Sequence, residues 1–340
     1  MRLNLFKCIY CESVGHIRAF LVKLVQFLRR NWLRITVFVT FLICVWPNRY
    51  APHYPYIPTD EIYDELVEKT TQNVSHQMAG KLSCDYNEVI KENHFMYREP
   101  YISTLLDGSD IRLGGEWMPS KCAPKFSTAV IVVYRQREQQ LNAFLIYIHN
   151  FLRKQLIHYR IFVIEQYDQK PFNRAMLFNI GSVYASQLDF PCLILHDVDL
   201  MPMNLGNLYV CTQRPRHMCS SLDKFRFNLL YHGLFGGVVS IETKVFQFIN
   251  GMSNKFSGWG GEDDDFYERI KAKNLEICRF GPDHSQYTML KHEQELPSEN
   301  RLAFLRNGSL RYNTDGLNSL VYKEKEVKLH KLFTHVLAIT

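Results

Sequence analysis

No apolar run of membrane-spanning length interrupts this chain. The longest, Ile35 to Trp46, is short for a span, because a bilayer core needs about 20 residues. No stripe of basic residues interleaved with aromatics follows it, which argues against a nucleic-acid surface. No internal repeat is visible, so a stacked-repeat architecture is not expected. Excess charge is also missing outside one block. The 340 residues carry 40 Lys and Arg against 34 Asp and Glu, a net charge of +6. Arg2, Lys7, Arg18, Lys23, Arg29, Arg30 and Arg34, against Glu12 alone, supply all of that excess before residue 35. The length suits one large domain with extensions, or two domains.

What stands at the N-terminus fits a signal anchor. Trp32 and Trp46 bracket the apolar run where an aromatic belt would sit. The basic residues lie on one side only, which makes residues 1–34 a cytoplasmic tail. A short span suits the thin membranes of the early secretory pathway. The competing readings are a cleaved signal peptide and a buried helix. The basic lead-in is too long for a usual signal n-region. The expected organisation is a tail at 1–34, a transmembrane anchor at 35–46, a stem at 47–80 and a luminal catalytic domain at 81–340. The stem opens with PNRYAPHYPYIPTD, whose four prolines and three tyrosines read as an extended linker. Cys84, Cys122, Cys192, Cys211, Cys219 and Cys278 would face an oxidising lumen, where pairing is expected. Sequons at Asn73-Val-Ser75 and Asn307-Gly-Ser309 fit the same side.

The later chain alternates strand and helix patterns. Ser127–Tyr134, HYRIFVIEQ and PCLILHDVDL read as buried strands, and Leu141–Leu156 and Asn173–Gln187 as helices. That alternation implies an α/β fold with a mostly parallel, Rossmann-like sheet flanked by helices. Ligands in such folds bind beyond the C-terminal strand ends. The first strand ends in Tyr134-Arg135-Gln136-Arg137, whose guanidiniums either pair with phosphate or belong to a solvated loop. Phe172-Asn173-Arg174 opens a helix with an aromatic and a cation suited to a base and a phosphate. The third strand ends in His196-Asp197-Val198-Asp199. Acids at i and i+2 there are hard oxygen ligands for magnesium or manganese with a diphosphate. Met289 and His292 read, taken alone, as a core thioether and a surface imidazole. GWGGEDDDFYERI sets four adjacent acids, Glu262 to Asp265, behind a glycine-rich turn.

Taken together, VVYRQR, FNRAMLFNIG, HDVDLMPMN, RPRHM, FGGVVSI, INGMSNKFSGWGGEDDDFYERI, MLKH and DGLNSL resemble the β-1,4-galactosyltransferase family over roughly Cys122 to Tyr322. The resemblance implies a GT-A fold, a type II single-pass Golgi membrane protein, and a luminal domain that moves a sugar from a UDP-sugar to O4 of a terminal GlcNAc with inversion. It implies a UDP-binding loop of Val133, Tyr134, Arg135, Gln136 and Arg137, with Val133 where the family has proline. Phe172, Asn173, Arg174, Val198, Leu234, Trp259 and His292 join that donor site. Asp199, Met289 and His292 are implied to hold Mn²⁺. Asp263 is implied as the base, with Gly260, Gly261, Glu262, Asp264 and Arg301 at the acceptor. Leu302 stands where the family commonly has an aromatic. Asp265 is left to favour the helix N-terminus. The segment from Met289 to about Tyr312 is the implied lid. Cys192–Cys211 and Cys84–Cys122 are implied disulfides, with no partner for Cys219 or Cys278.

Leu234 carries the donor question. Galactosyl members of the family have tyrosine there, and members with leucine or isoleucine resemble N-acetylgalactosaminyltransferases. The expected donor is therefore UDP-GalNAc, with UDP-Gal as the alternative. An alternative of another class is an inactive, membrane-anchored lectin for GlcNAc glycans. The presence of Asp199, Met289, His292 and Asp263 together favours an enzyme.

Overall fold

The structure is a computed structural model that describes residues 3–45, 54–91, 110–291 and 296–340. It divides into two compact units, Met1–Ala51 and Pro52–Thr340. In the first, α1 (Leu3–Val45) is one continuous helix without a break between the basic tail and the apolar run. Among the described residues no helix is long and apolar enough to cross a membrane.

The second unit begins with the segment expected as a stem. From Tyr54 onward that segment is packed into the domain. Ile57, Ile62, Leu66, Val74 and Met78 are buried, each such side chain contributing about 1.5–3 kcal/mol relative to exposure. Three short helices, α2 (Ile62–Glu65), α3 (Gln72–Gln77) and α4 (Asn87–Lys91), lie in this stretch. The strands that follow are β1 (Glu116–Trp117), β2 (Ser127–Tyr134), β3 (His158–Gln166), β4 (Cys192–Asp197), β5 (Leu200–Pro202), β6 (Arg216–His217), β7 (Ser221–Leu222), β8 (Val238–Glu242), β9 (Gln286–Met289), β10 (Lys323–Leu329) and β11 (Thr334–Ile339). The main sheet runs β10-β11-β3-β2-β4-β8-β6, and β1 also pairs with β3. Its centre, β11-β3-β2-β4, is parallel. β8 is antiparallel to β4, and β10 to β11. The sheet is thus parallel in the middle and antiparallel toward its edges. A second, small sheet has the order β5-β9-β7.

Every residue of β2 is buried because both faces of the sheet are covered. Val130, Val132 and Tyr134 face the core shared with α5 (Glu138–Lys154), and Ala129, Ile131 and Val133 face the core shared with α6 (Arg174–Gln187) and α7 (Thr243–Phe248). That two-residue alternation between two apolar layers is why the strand reads as an unbroken hydrophobic run. Parallel register sets Val133 beside Asp197, so Tyr134 and Val198 emerge together at one sheet edge.

Cys84–Cys122 and Cys192–Cys211 are disulfides, as the resemblance implied. Cys219 and Cys278, for which the resemblance implied no partner, are buried free thiols. Each has another partner. Cys219 Sγ donates to the Gly236 carbonyl at 3.2 Å, and Cys278 Sγ lies 3.4 Å from Thr212 Oγ1.

Candidate active site

Beyond the C-terminal ends of β2 and β4 lies a cavity of about 200 Å³. The end of β2 and its loop contribute Val133, Tyr134, Arg135 and Arg137. The start of α6 contributes Phe172 and Arg174, the end of β4 Asp197, Val198 and Asp199, and β9 Met289. The turn into α8 (Glu262–Ala272) adds Gly258, Trp259, Glu262 and Asp263, and Lys224 completes the lining.

Arg174 is the centre of this arrangement. Its Nε donates to Asp197 Oδ1 at 2.6 Å, and its Nη1 donates to Asp263 Oδ1 at 2.5 Å and lies 3.5 Å from Glu262 Oε1. Its guanidinium sits 4.7 Å from the centre of the Phe178 ring. Three carboxylates therefore share one cation. Burial pushes Asp263 up to about 7; Arg174 pulls it back, and Glu262 and Asp197 reinforce the rise. Burial also raises Asp197, against the pull of Arg174. Desolvation outweighs the ion pair at Asp263, so its charge is lost as pH falls through about 7. Gly236 lies against this carboxylate. A Cβ there would come within 1.9 Å of Asp263 Oδ2, so only glycine allows the approach.

The turn into α8 depends on Gly261, whose φ of 97° is left-handed. It places all four acids in the first helical turn, where the helix dipole favours them. They then part company. Glu262 and Asp263 line the cavity. Asp264 accepts from Tyr231 Oη at 2.7 Å. Asp265 turns inward, 1% exposed, and accepts from Arg269 Nε at 2.7 Å. The expectation that Asp265 serves only the helix N-terminus is corrected here. It is half of a sealed ion pair.

The remaining predicted residues divide in the same way. Arg135 Nη1 donates to the Lys170 carbonyl at 2.7 Å, and its guanidinium lies 5.3 Å from the centre of the Phe172 ring. Arg137 Nη1 is 3.8 Å from Asp199 Oδ2. Gln136 takes a left-handed turn, φ 52°, and is not among the lining residues. Asn173 caps α6, accepting from the Met176 amide and donating to the Asn254 carbonyl, so its side chain is committed to the fold. Leu234, Gly260, Gly261, Asp264 and Arg301 also lie outside the lining. Arg301 reaches back to Trp259, its guanidinium 5.3 Å from the indole centre.

Strand pairing brings two of the three expected metal ligands together. Leu200 pairs with Met289, and the Leu290 amide donates to the Asp199 carbonyl at 2.7 Å. Asp223 holds the same edge by accepting from the Met289 amide at 3.1 Å and from the Thr288 hydroxyl. His292 falls outside the described residues. Among the described residues no group of three or more His, Cys, Asp and Glu is arranged to hold a metal. The donor set fits a divalent ion in part, with carboxylates at Asp197 and Asp199 beside a thioether in one cavity. Sequence reading missed Lys224 and Tyr231 as site residues; it read Asp197 with Asp199 as a pair of hard oxygen ligands, and the resemblance carried only Asp199 forward as a metal ligand. The Asp-X-Asp pattern signals Asp197, and no sequence pattern signals Tyr231 or Lys224.

A covered α/β sheet with an acid-rich cavity at the C-terminal strand edge, Asp-X-Asp at its rim, defines a GT-A glycosyltransferase fold. The catalytic domain of Drosophila β1,4-galactosyltransferase 7 in complex with xylobiose superposes with a TM-score of 0.55 at 28% identity, covering 63% of this chain and 94% of that one. A mutant of the same enzyme in complex with manganese, UDP-Gal and xylobiose gives a TM-score of 0.56 at 28% identity, with the same coverage. Residues 72–212 match the N-terminal region of glycosyl transferase group 7, and residues 216–293 match the N-terminal domain of galactosyltransferase. β-1,4-Galactosyltransferase 6 of Rattus norvegicus is 36% identical over 291 residues, 80% of this chain and 74% of that protein. β-1,4-Galactosyltransferase 2 of Cricetulus griseus is 40% identical over 231 residues, 66% of this chain and 63% of that protein. The match thus spans less than two thirds of the length of that second relative. The chain belongs to the β-1,4-galactosyltransferase family.

Proposed function

We propose that this protein is an inverting glycosyltransferase that moves N-acetylgalactosamine or galactose from its UDP-sugar to O4 of a GlcNAc-terminated glycan. The observation that carries the reading is the place of Asp263. Its carboxylate lines the cavity, 27% exposed on its side chain and paired with Arg174. The same cavity is lined by Arg135, Arg137 and Phe172, groups suited to phosphate and a nucleobase. In this account Tyr134, Arg135, Arg137, Phe172 and Arg174 bind UDP. Asp199, Met289 and His292 would hold manganese, which when bound would neutralise charge growing on the leaving diphosphate. Asp263 takes the proton from the acceptor O4 hydroxyl. The new bond from O4 to the anomeric carbon forms on the face opposite the departing UDP oxygen, so configuration inverts, and UDP leaves with the bonding electrons. Glu262 Oε2 and Arg301 Nη1 are buried polar atoms without a hydrogen-bond partner among the described residues. Sugar hydroxyls would satisfy such atoms.

Two donors divide the support. The relatives' names favour UDP-Gal, and UDP-Gal is in the Drosophila enzyme complex with manganese. Leu234 favours UDP-GalNAc, because it lacks the hydroxyl that tyrosine would supply and leaves room for an N-acetyl group. Full-length protein with manganese, a GlcNAc acceptor and each donor in turn tests both readings by UDP formation. UDP release that depends on acceptor and is abolished by EDTA supports the reaction; none with either donor would overturn it. Leu234→Tyr is expected to move preference toward UDP-Gal, and an unchanged donor ratio would remove the Leu234 argument. Type II anchoring in the Golgi membrane is part of the same proposal. It rests on the basic block before Arg34 and on the Ile35–Trp46 run, and is tested by carbonate extraction and protease protection of the full chain.

A further inference from the structure

Arg279 lies outside the cavity lining, 5% exposed, yet three of its contacts lead toward the cavity. Its Nη2 donates to the His232 carbonyl at 2.8 Å and to the Leu234 carbonyl at 2.9 Å. Its Nε donates to His217 Nδ1 at 3.3 Å. The loop it holds, residues 231–236, touches two acids in the first turn of α8, Asp264 and the cavity-lining Asp263. Tyr231 bonds Asp264, and Gly236 lies against Asp263 with no space for a Cβ. Burial disfavours the arginine's charge, and the two carbonyl dipoles it binds partly restore what water supplied. The other side of Arg279 is covered by the segment that precedes α2. The Tyr54 ring lies 5.5 Å from the guanidinium, and Tyr54 Oη is 3.0 Å from Ser220 Oγ. The Ile57 amide donates to the Arg279 carbonyl at 2.9 Å.

We propose that Arg279 is a positioning residue for this reaction, and that the segment Tyr54–Ile57 seated on it belongs to the same device. Together they set loop 231–236 against Asp263 and Asp264, so a stretch that reads in sequence as a linker helps to shape the sugar end of the site. The inference rests on the transferase reading of that site. It assigns no contact between Arg279 and substrate.

The test uses the full chain with Arg279→Lys, Tyr54→Leu and Tyr54→Phe, read in three ways. A lysine ammonium lacks the planar fork that serves two carbonyls and an imidazole at once. Arg279→Lys is therefore expected to raise KM for the GlcNAc acceptor roughly tenfold, with kcat changed less than about threefold and UDP affinity unchanged. Amide hydrogen exchange in residues 231–236 should become faster. Tyr54→Leu should show the same pattern at about two- to fivefold, and Tyr54→Phe, which keeps the ring, should match wild type. If Arg279→Lys fails to fold, the two Tyr54 variants decide the matter. An unchanged acceptor KM in Tyr54→Leu overturns the proposal. So does a raised KM with kcat and UDP affinity lowered in common proportion, which is the mark of a merely structural role. Wild-type protein with no transfer would instead bring down the transferase reading, and unaltered loop exchange in the variants would bring down the positioning claim on its own.

Discussion

The first turn of α8 has two faces built from the same residue types to opposite ends. On the cavity face Asp197, Glu262 and Asp263 share Arg174. On the inner face Asp265 and Asp315 meet Arg269 and Arg311, two acids against two arginines. Arg269 and Asp265 are sealed there, at 0% and 1% side-chain exposure. Ser253 Oγ and the Asn254 amide also donate to Asp315. Burial raises both Asp263 and Asp265. At Asp265 the opposing charge comes from Arg269 and Arg311, with only Asp315 adding to the rise, whereas at Asp263 two other acids add to it. The difference separates a charge surplus left for a reactant from a charge balance that holds a segment in place. The balanced side ties α8 to residues 311–315, the foot of the expected lid.

Breaking each face in turn should give opposite phenotypes. The largest effect is expected from Asp263→Asn. A positioned base contributes about 10²–10⁴-fold, so transfer should fall by that amount while UDP binding stays near wild type, measured by calorimetry on the same sample. Stability should not fall with it. The folded carboxyl is raised above its unfolded value, so its contribution is fully present below about pH 4 and lost as pH rises through about 7. Removing the acid should therefore leave the unfolding midpoint at pH 8 unchanged or higher. Arg269→Met is the converse. It leaves two buried carboxylates to share Arg311 alone and should cost about 3–5 kcal/mol in denaturant unfolding, with activity per folded molecule retained. Glu262→Gln is the smallest perturbation. It should raise acceptor KM roughly two- to tenfold and lower the pH midpoint of transfer, because Glu262 is one of the charges that raises Asp263.

Much of this was readable in the sequence, for physical reasons that differ by element. β2, β3 and β4 were legible because central parallel strands covered on both faces must be apolar throughout. The Asp-X-Asp at the end of β4 was legible because strand ends of such sheets carry the site. Residues 57–78 were misread because prolines and polar residues hid a sparse set of buried ones, among them Ile57, Ile62 and Leu66. Asp265 was misread because four adjacent acids look alike in sequence. Only the helical turn decides which side each faces. Arg279 and Tyr231 were invisible because their partners lie far along the chain and act through backbone carbonyls and a single carboxylate.

The central claim is that Asp263, its charge held back by burial and acid neighbours, takes the acceptor proton. The pH dependence of kcat/KM for the acceptor in wild-type protein tests it most directly. That kcat/KM should fall by about tenfold per pH unit below a midpoint near 7. A profile that stays flat from pH 8 down to about pH 5 would contradict it, since a carboxylate at its ordinary value would still be charged across that range.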